Sequence, residues 1–395
     1  MTVRLGDVAT TRLIGVGKQA SKGLRSLRWL PAFCWQQLVR RLPRKGPRHL
    51  ILAVANHFEP SFVSGPPGKY ANWEEQERRV EQWCRTYPAS VMSYRDADGR
   101  PLRHTYFFPA EQYEKGIIQR LADHCQGGWG EIEIHLHHGV QEPDTPENTR
   151  GTLIEFRDAL VRHGCLSTWE GHGPPRYAFV HGNWALANSF GGRYCGVDDE
   201  MQILAETGCY ADFTLPSAPH PAQVRKINSV YECALPLDRR APHRRGRDLR
   251  RERPPKIFPL MVQGPLALSL GRSPGRWPTP RIENGELSEA CPPTLGRLSV
   301  WRRAAITIKG RPDWIFIKLH CHGMDPRDMA ALSGSMMQRF LRELSETTSS
   351  DGDVVHFVTV REMVNILLAA CDGRDGKPGD FRDYRLRLTG PTCRA

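Results

Sequence analysis

Apolar and polar positions alternate in two rhythms along this 395-residue chain. Short apolar runs read as strands at 49–55 (HLILAVA), 104–108 (HTYFF), 131–137 (EIEIHLH), 176–181 (RYAFVH), 209–215 (CYADFTL), 314–320 (WIFIKLH) and 354–360 (VVHFVTV). Between them, apolar residues recur at helical spacing over 73–87, 111–125, 145–164, 198–208, 328–346 and 361–371. Strands that alternate with helices imply a parallel sheet. Seven such strands are consistent with a barrel of seven β/α units, and an open doubly wound sheet would give the same pattern.

The alternation fails in three places. Residues 225–312 are rich in Pro, Gly and Arg and predict an insertion with no clear helix, in which KIFPLMV and RRAAITI are candidate extra strands. Residues 373–395 form a polar tail that predicts a loosely held end. Residues 1–48 read as a basic arm with one amphipathic helix, in which Leu27, Leu30, Cys34, Trp35, Leu38 and Leu42 share a face. Pro31 suits the first turn of that helix, and Arg40, Arg41, Arg44 and Lys45 close it. The body of the protein is then expected over 49–372.

Charge sharpens this division. Residues 1–48 hold eleven Lys or Arg against one acid, Asp7, a net of +10. Residues 239–253 hold eight Arg against two acids, a net of +6. Against a total of +12, the rest of the chain is left at −4. The basic character therefore belongs to appendages, which argues against a specific nucleic-acid enzyme with a positive active groove. The arginine run predicts a solvated, mobile loop. The basic helix over 27–45 is a candidate for peripheral contact with an anionic membrane. No apolar run approaches the length of a membrane span, and neither a secretory signal nor a C-x-x-C pair occurs among the eleven cysteines. The expectation is a cytoplasmic protein with free thiols, peripheral at the inner face of the membrane if 27–45 binds there.

The candidate chemistry stands at the ends of the predicted strands, where parallel α/β barrels collect it. In EIEIHLHHG (131–139), Glu131, Glu133, His135 and His137 share one face of a strand. His135 with His137 or His138 can place two imidazoles on one divalent metal. In NHFEP (56–60), His57 and Glu59 point the same way, and Glu59 is a candidate third ligand. KLHCHG (318–323) offers His320 and His322 as an acid or a substrate contact. FVHGNW (179–184) offers His181, Asn183 and Trp184 toward a substrate, with the indole as a platform under a sugar ring. Asp212 is placed to orient a neighbouring histidine or arginine.

This order of motifs resembles that of the polysaccharide deacetylases, the NodB-homology enzymes of carbohydrate esterase family four. The resemblance covers about 49–371. It implies a distorted seven-unit β/α barrel, a divalent metal that is usually zinc, and hydrolysis of an N-acetyl group, a C–N bond other than a peptide bond. It also implies bacterial surface-polysaccharide metabolism and a saccharide or lipid-linked saccharide as substrate. NHFEP looks like a variant first motif, with His57 in the base place and Glu59 in the ligand place. EIEIH is similar to the second motif, which makes His135 the first imidazole ligand. Gly139 stands where the second would be expected, so His137 or His138 must substitute. KLHCHG is similar to the last motif, with His320 as general acid. FVHGNW and ADFTLP agree with the third and fourth motifs in position only. The rival readings are a metal-dependent phosphoesterase and a saccharide-binding protein that kept the barrel without the chemistry.

Overall fold

A computed structural model describes residues 27–40, 46–63, 70–271 and 279–389. All seven expected strands form, as β1 (Arg48–His57), β2 (His104–Pro109), β3 (Gly130–Leu136), β5 (His172–His181), β6 (Cys209–Asp212), β13 (Trp314–Cys321) and β14 (Asp353–Phe357). They are joined by β4 (Ser167–Trp169), β7 (Val230–Cys233), β8 (Gly246–Asp248), β9 (Leu260–Val262), β10 (Ala267–Gly271), β11 (Thr279–Glu283), β12 (Glu286–Leu287) and β15 (Leu386–Leu388). The helices are α1 (Leu30–Val39), α2 (Trp73–Val91), α3 (Lys115–His124), α4 (Pro146–Arg162), α5 (Glu200–Thr207), α6 (Leu295–Arg303), α7 (Pro326–Leu332), α8 (Ser335–Asp351) and α9 (Val360–Cys371).

The sheet is parallel from β13 through β1, β2, β3, β5 and β6 to β9, and antiparallel where β7 and β8 extend it and where β4 joins β5 to β15. β1 pairs with β13 from His49↔Trp314 to Asn56↔Cys321. Its other edge is shared. The first half pairs with β14 from Arg48↔Asp353 to Leu52↔Phe357, and the second with β2 from Val54↔His104 to His57↔Phe107. The sheet curls into a half-barrel. Gly264, just past β9, packs so closely on β13 that a Cβ there would lie 2.4 Å from the Lys318 carbonyl oxygen.

Period-two alternation splits the apolar residues between two cores. Leu50, Leu52 and Val54 of β1 face a layer that holds α2, α3 and α4, with Trp83, Ile118 and Leu153. Ile51, Ala53 and Ala55 face the concave side with Phe316, Val364 and Leu367. α9 is buried along its whole length on that concave side, started by a capping box between Thr359 and Glu362.

Four expectations are revised. The predicted 328–346 helix is two helices, because Ser333 and Gly334 interrupt it between α7 and α8. Within the insertion, RRAAITI is not a strand, and Arg302 and Arg303 instead end α6, which is capped by Thr294. The arginine run is built in rather than mobile. Arg240 donates to the Asn188 carbonyl at 2.7 Å, Arg244 to that of Ser189 at 2.8 Å, and Arg247 pairs with buried Glu232. The tail is also held as far as Thr389. β15 pairs with β4, and Arg382 donates to the Phe357 carbonyl and meets Asp96 and Asp98.

The N-terminal helix packs on the body. Trp29, Phe33, Gln36 and Arg40, spaced four, three and four apart, face inward. Trp29 is fully buried with Ala218, Ile227 and Leu266. Arg40 was expected to belong to a cationic end, but it turns in to the Asn228 and Ala304 carbonyls at 2.7 and 2.9 Å. The predicted apolar stripe is split: Leu30 packs against the Trp29 cluster, while Trp35 is 65% and Leu38 70% exposed. Leu42 and the remaining basic residues expected at the helix end lie outside the described residues, as does the arm before Leu27. Among the described residues, no helix is long and apolar enough to cross a membrane.

An ion pair is buried on the concave side. Arg361 of α9 forms two bonds with Glu131 of β3, at 2.8 and 3.0 Å, and both side chains are nearly inaccessible. Removing one member of such a pair strands the other without water. Arg361→Ala should therefore lower stability by about 3–5 kcal/mol, read as a fall in the urea-unfolding midpoint. An unchanged midpoint would show that the pair does not hold α9 to the sheet.

Candidate metal centre

The face shared along β3 is a polar column. Glu131 lies lowest, on Arg361. Glu133 is next, accepting from the Tyr210 hydroxyl and, at 2.6 Å, from the Ala178 amide; burial pushes its carboxyl up to about 8. His135 tops the strand, and His137 follows just past its end. His57 ends β1 on the same concave side as Ala53 and Ala55, and Lys318 and His320 continue the face that Trp314 and Phe316 begin on β13.

These strand ends bring Glu59, His135 and His137 together, with one donor atom of each within 4.8 Å of the others. His135 is fully buried, and its Nδ1 lies 3.0 Å from the Val180 carbonyl oxygen. A carbonyl only accepts, so Nδ1 carries the hydrogen and Nε2 of the neutral ring is a bare lone pair. That Nε2 has no hydrogen-bond partner, yet it faces Glu59 Oε1 at 3.3 Å. A lone pair aimed at a carboxylate oxygen is unfavourable unless a proton or a cation lies between them. His137 Nε2 approaches the other oxygen, Oε2, at 4.0 Å. Its Nδ1 is fixed by Glu111 Oε1 at 2.6 Å, the carboxylate–imidazole pairing that orients metal-bound histidines. Gly182 makes room for this ring, since a Cβ there would lie 2.2 Å from His137 Cδ2. Two imidazoles and one carboxylate, with Glu59 and His137 partly open to solvent, leave coordination free for water and substrate.

His57 and His322 flank the same carboxylate, and their donor atoms also lie within 4.8 Å of Glu59. The His57 ring centroid is 4.9 Å from those of both His135 and His322, and 6.1 Å from that of His320. Burial, reinforced by His322 and His135, holds the His57 pKa well below the ordinary histidine value. Burial works to raise Glu59, but a proton held between it and His135 Nε2, together with the charge of His137, outweighs this and keeps the carboxyl ionised down to about 2. His320 is also buried, with Nδ1 unpartnered, and burial and nearby Lys318 depress it. Asn56 steadies this end of the sheet, accepting from the Gly323 amide at 2.8 Å.

Five of the expected residues stand elsewhere. His138 is not with Glu59. The chain turns after Leu136, so His138 points away from His137 and, with His181, Cys195 and Glu200, forms a second, fully buried cluster that could hold a metal ion. His181 belongs to that cluster and not to a substrate surface. Its neighbour Asn183 lends only a backbone amide, 3.3 Å from His181 Nδ1. Asp212 orients no histidine or arginine. It accepts from the Thr214 hydroxyl at 2.7 Å and faces Lys318 across the concave side, where burial brings both groups to about 7. Trp184 packs beside His220, with ring centroids 5.1 Å apart.

Glu111, Asp144, Cys195 and Glu200 were not foreseen. Glu111 lies in the one-turn helix after β2, directly beside the FFP run, and that adjacency was the available signal. The chain matches no protein-family model, and no curated protein matches it.

Glu111 is the residue to remove. Glu111→Gln should weaken divalent-metal binding about 10–100-fold, measured by competition with a chromophoric chelator. Burial lowers the His137 pKa, but Glu111 and Glu59 more than offset this and raise it. In metal-free protein the substitution should therefore move the His137 titration to lower pH in NMR spectra. A raised histidine stabilises the fold fully at low pH and loses that contribution as pH rises through the folded pKa, so this stabilisation should shrink in the variant. Unchanged affinity and titration would remove Glu111 from the site.

Proposed function

We propose that the chain is a metal-dependent hydrolase that removes an acyl group, first of all N-acetyl, from a saccharide or lipid-linked saccharide, on a distorted seven-unit barrel of the NodB type. The observation that carries this reading is the unpartnered Nε2 of His135 aimed at Glu59, with His137 on the second carboxylate oxygen and one side open. That donor set suits zinc, which when bound would polarise the scissile carbonyl and acidify a water.

The protein's own groups take the proton steps. His57, kept neutral by burial among histidines, accepts a proton beside Glu59. A second imidazole must return one to the departing amine. The family resemblance puts that role on His320. Exposure and contact favour His322, which is half-buried, 4.9 Å from the His57 ring and within reach of Glu59, whereas His320 is buried and 6.1 Å from the His57 ring. Glu111 holds His137, and Lys318 with Asp212 supplies a polar floor.

The test is acetate release from N-acetylated oligosaccharides by zinc-loaded protein, with phosphate release from model phosphate esters as the contrasting reaction. His322→Ala should slow acetate release by about 10²–10⁴-fold while zinc is retained, and His320→Ala should slow it less. If zinc-loaded protein liberates phosphate and no acetate, the deacetylase reading is wrong. Neither product across a broad panel would leave a binding protein.

Peripheral membrane contact belongs to the same proposal. α1 buries Trp29 and Arg40 in the body and turns Trp35 and Leu38 outward, a pair suited to the headgroup boundary of a bilayer. Full-length protein should co-sediment with vesicles containing anionic lipid, and Trp35→Ser/Leu38→Ser should reduce the bound fraction without changing the melting temperature. Equal binding by both proteins would exclude this face.

A further inference from the structure

We infer that His138, His181, Cys195 and Glu200 form a second metal site, closed and structural, that takes zinc and ties together the loops beside Glu59. The four donors come from the turn after β3, the end of β5, the following loop and the first residue of α5. All four side chains are buried, and one donor atom of each lies within 4.8 Å of the others. Two imidazoles, a thiolate and a carboxylate complete a tetrahedral set with no position left for substrate.

The surroundings match those of a bound ion. His138 Nδ1 lies 2.9 Å from Asp144 Oδ2, which puts its hydrogen there and directs Nε2 inward as a lone pair. Asp144 is itself fixed by the Thr149 hydroxyl at 2.7 Å. The Asn188 and Val197 amides point at Cys195 Sγ at 3.3 and 3.5 Å, an arrangement that favours a thiolate. The Ala187 amide holds Glu200 Oε2. Gly139, at φ +60°, lets the cysteine loop close, because a Cβ there would lie 2.2 Å from the Cys195 carbonyl oxygen.

His138 Nε2, Glu200 Oε1 and His181 Nε2 converge at the centre, with His138 Nε2 3.0 Å from Glu200 Oε1 and 3.1 Å from His181 Nε2. A cation placed between the three atoms would meet lone pairs from both rings once His181 carries its hydrogen on Nδ1 and the long Asn183 contact at 3.3 Å is given up. An imidazolium of His138 between Asp144 and Glu200 would satisfy the same contacts without a metal, and metal content separates the two.

Cobalt distinguishes this site from the one at Glu59, which has no sulfur donor. Full-length protein exchanged with cobalt should show a thiolate-to-cobalt charge-transfer band in the near ultraviolet. Cys195→Ser should abolish the band and one metal equivalent per chain, as read by elemental analysis. His135→Ala should keep the band and lose the other equivalent, so the two sites are judged separately. Wild-type protein loaded with cobalt but lacking the band overturns the proposal, even if Cys195→Ser does not fold. So does Cys195→Ser with the band and metal content intact.

Discussion

The central constraint in this molecule is the pairing of β1 on both edges. β13 holds one edge along almost its full length, while β14 and β2 divide the other. With both edges occupied, β1 has no freedom to slide. A slip of one residue would exchange its two faces, turning His57 toward the helices and Ile51, Ala53 and Ala55 out of the concave core. Glu59 follows two residues past this clamped strand, and the carboxylate therefore reaches His135 at a fixed depth.

Chemistry and packing share the concave side by rising from one to the other along the strands. Near the base, Glu131 is neutralised by Arg361. Midway, Glu133 is held by Tyr210 and a backbone amide, and Lys318 looks across to Asp212. At the top the imidazoles are no longer matched one to one with acids, and unpartnered nitrogens accumulate at His135 and His320. Buried polar atoms are almost always paired in folded proteins. Their position at one end of an otherwise satisfied column is where an external group could be accommodated.

The strand pattern was legible because the sheet is buried on both faces, so its strands read as apolar runs bounded by turns. His57, Glu59, His135, His137 and His322 were legible for the same reason, each lying within two residues of a strand end, where alternation still fixes direction. The choice between His137 and His138 stayed open in the sequence because that alternation stops at Leu136. Cys195 and Glu200 sit in a loop and at a helix start, where no periodicity connects them to His138. The arginine run looked solvated from its charge alone. Its guanidinium groups instead satisfy carbonyl oxygens at Asn188 and Ser189, a use that composition does not reveal. Arg382 is hidden in the same way, since its acids lie in the loop before β2 and in α9.

The divided edge of β1 also has a consequence for synthesis. Arg48 pairs with Asp353, and His49 with Trp314, so the ribosome makes most of the chain before either partner of the first half of β1 exists. β2 and β3 can join its second half early, since they follow closely in sequence. Until β13 and β14 emerge, β1 exposes one complete edge of unpaired backbone N–H and C=O groups and half of the other. An unpaired edge of that kind recruits strands from neighbouring chains. Closing it waits on contacts of very long sequence separation, which slow folding. β1, made before the other described strands of its sheet, is thus among the last to be enclosed, and the residues that shape the centre around Glu59 take their final positions only when residues 314–357 have arrived.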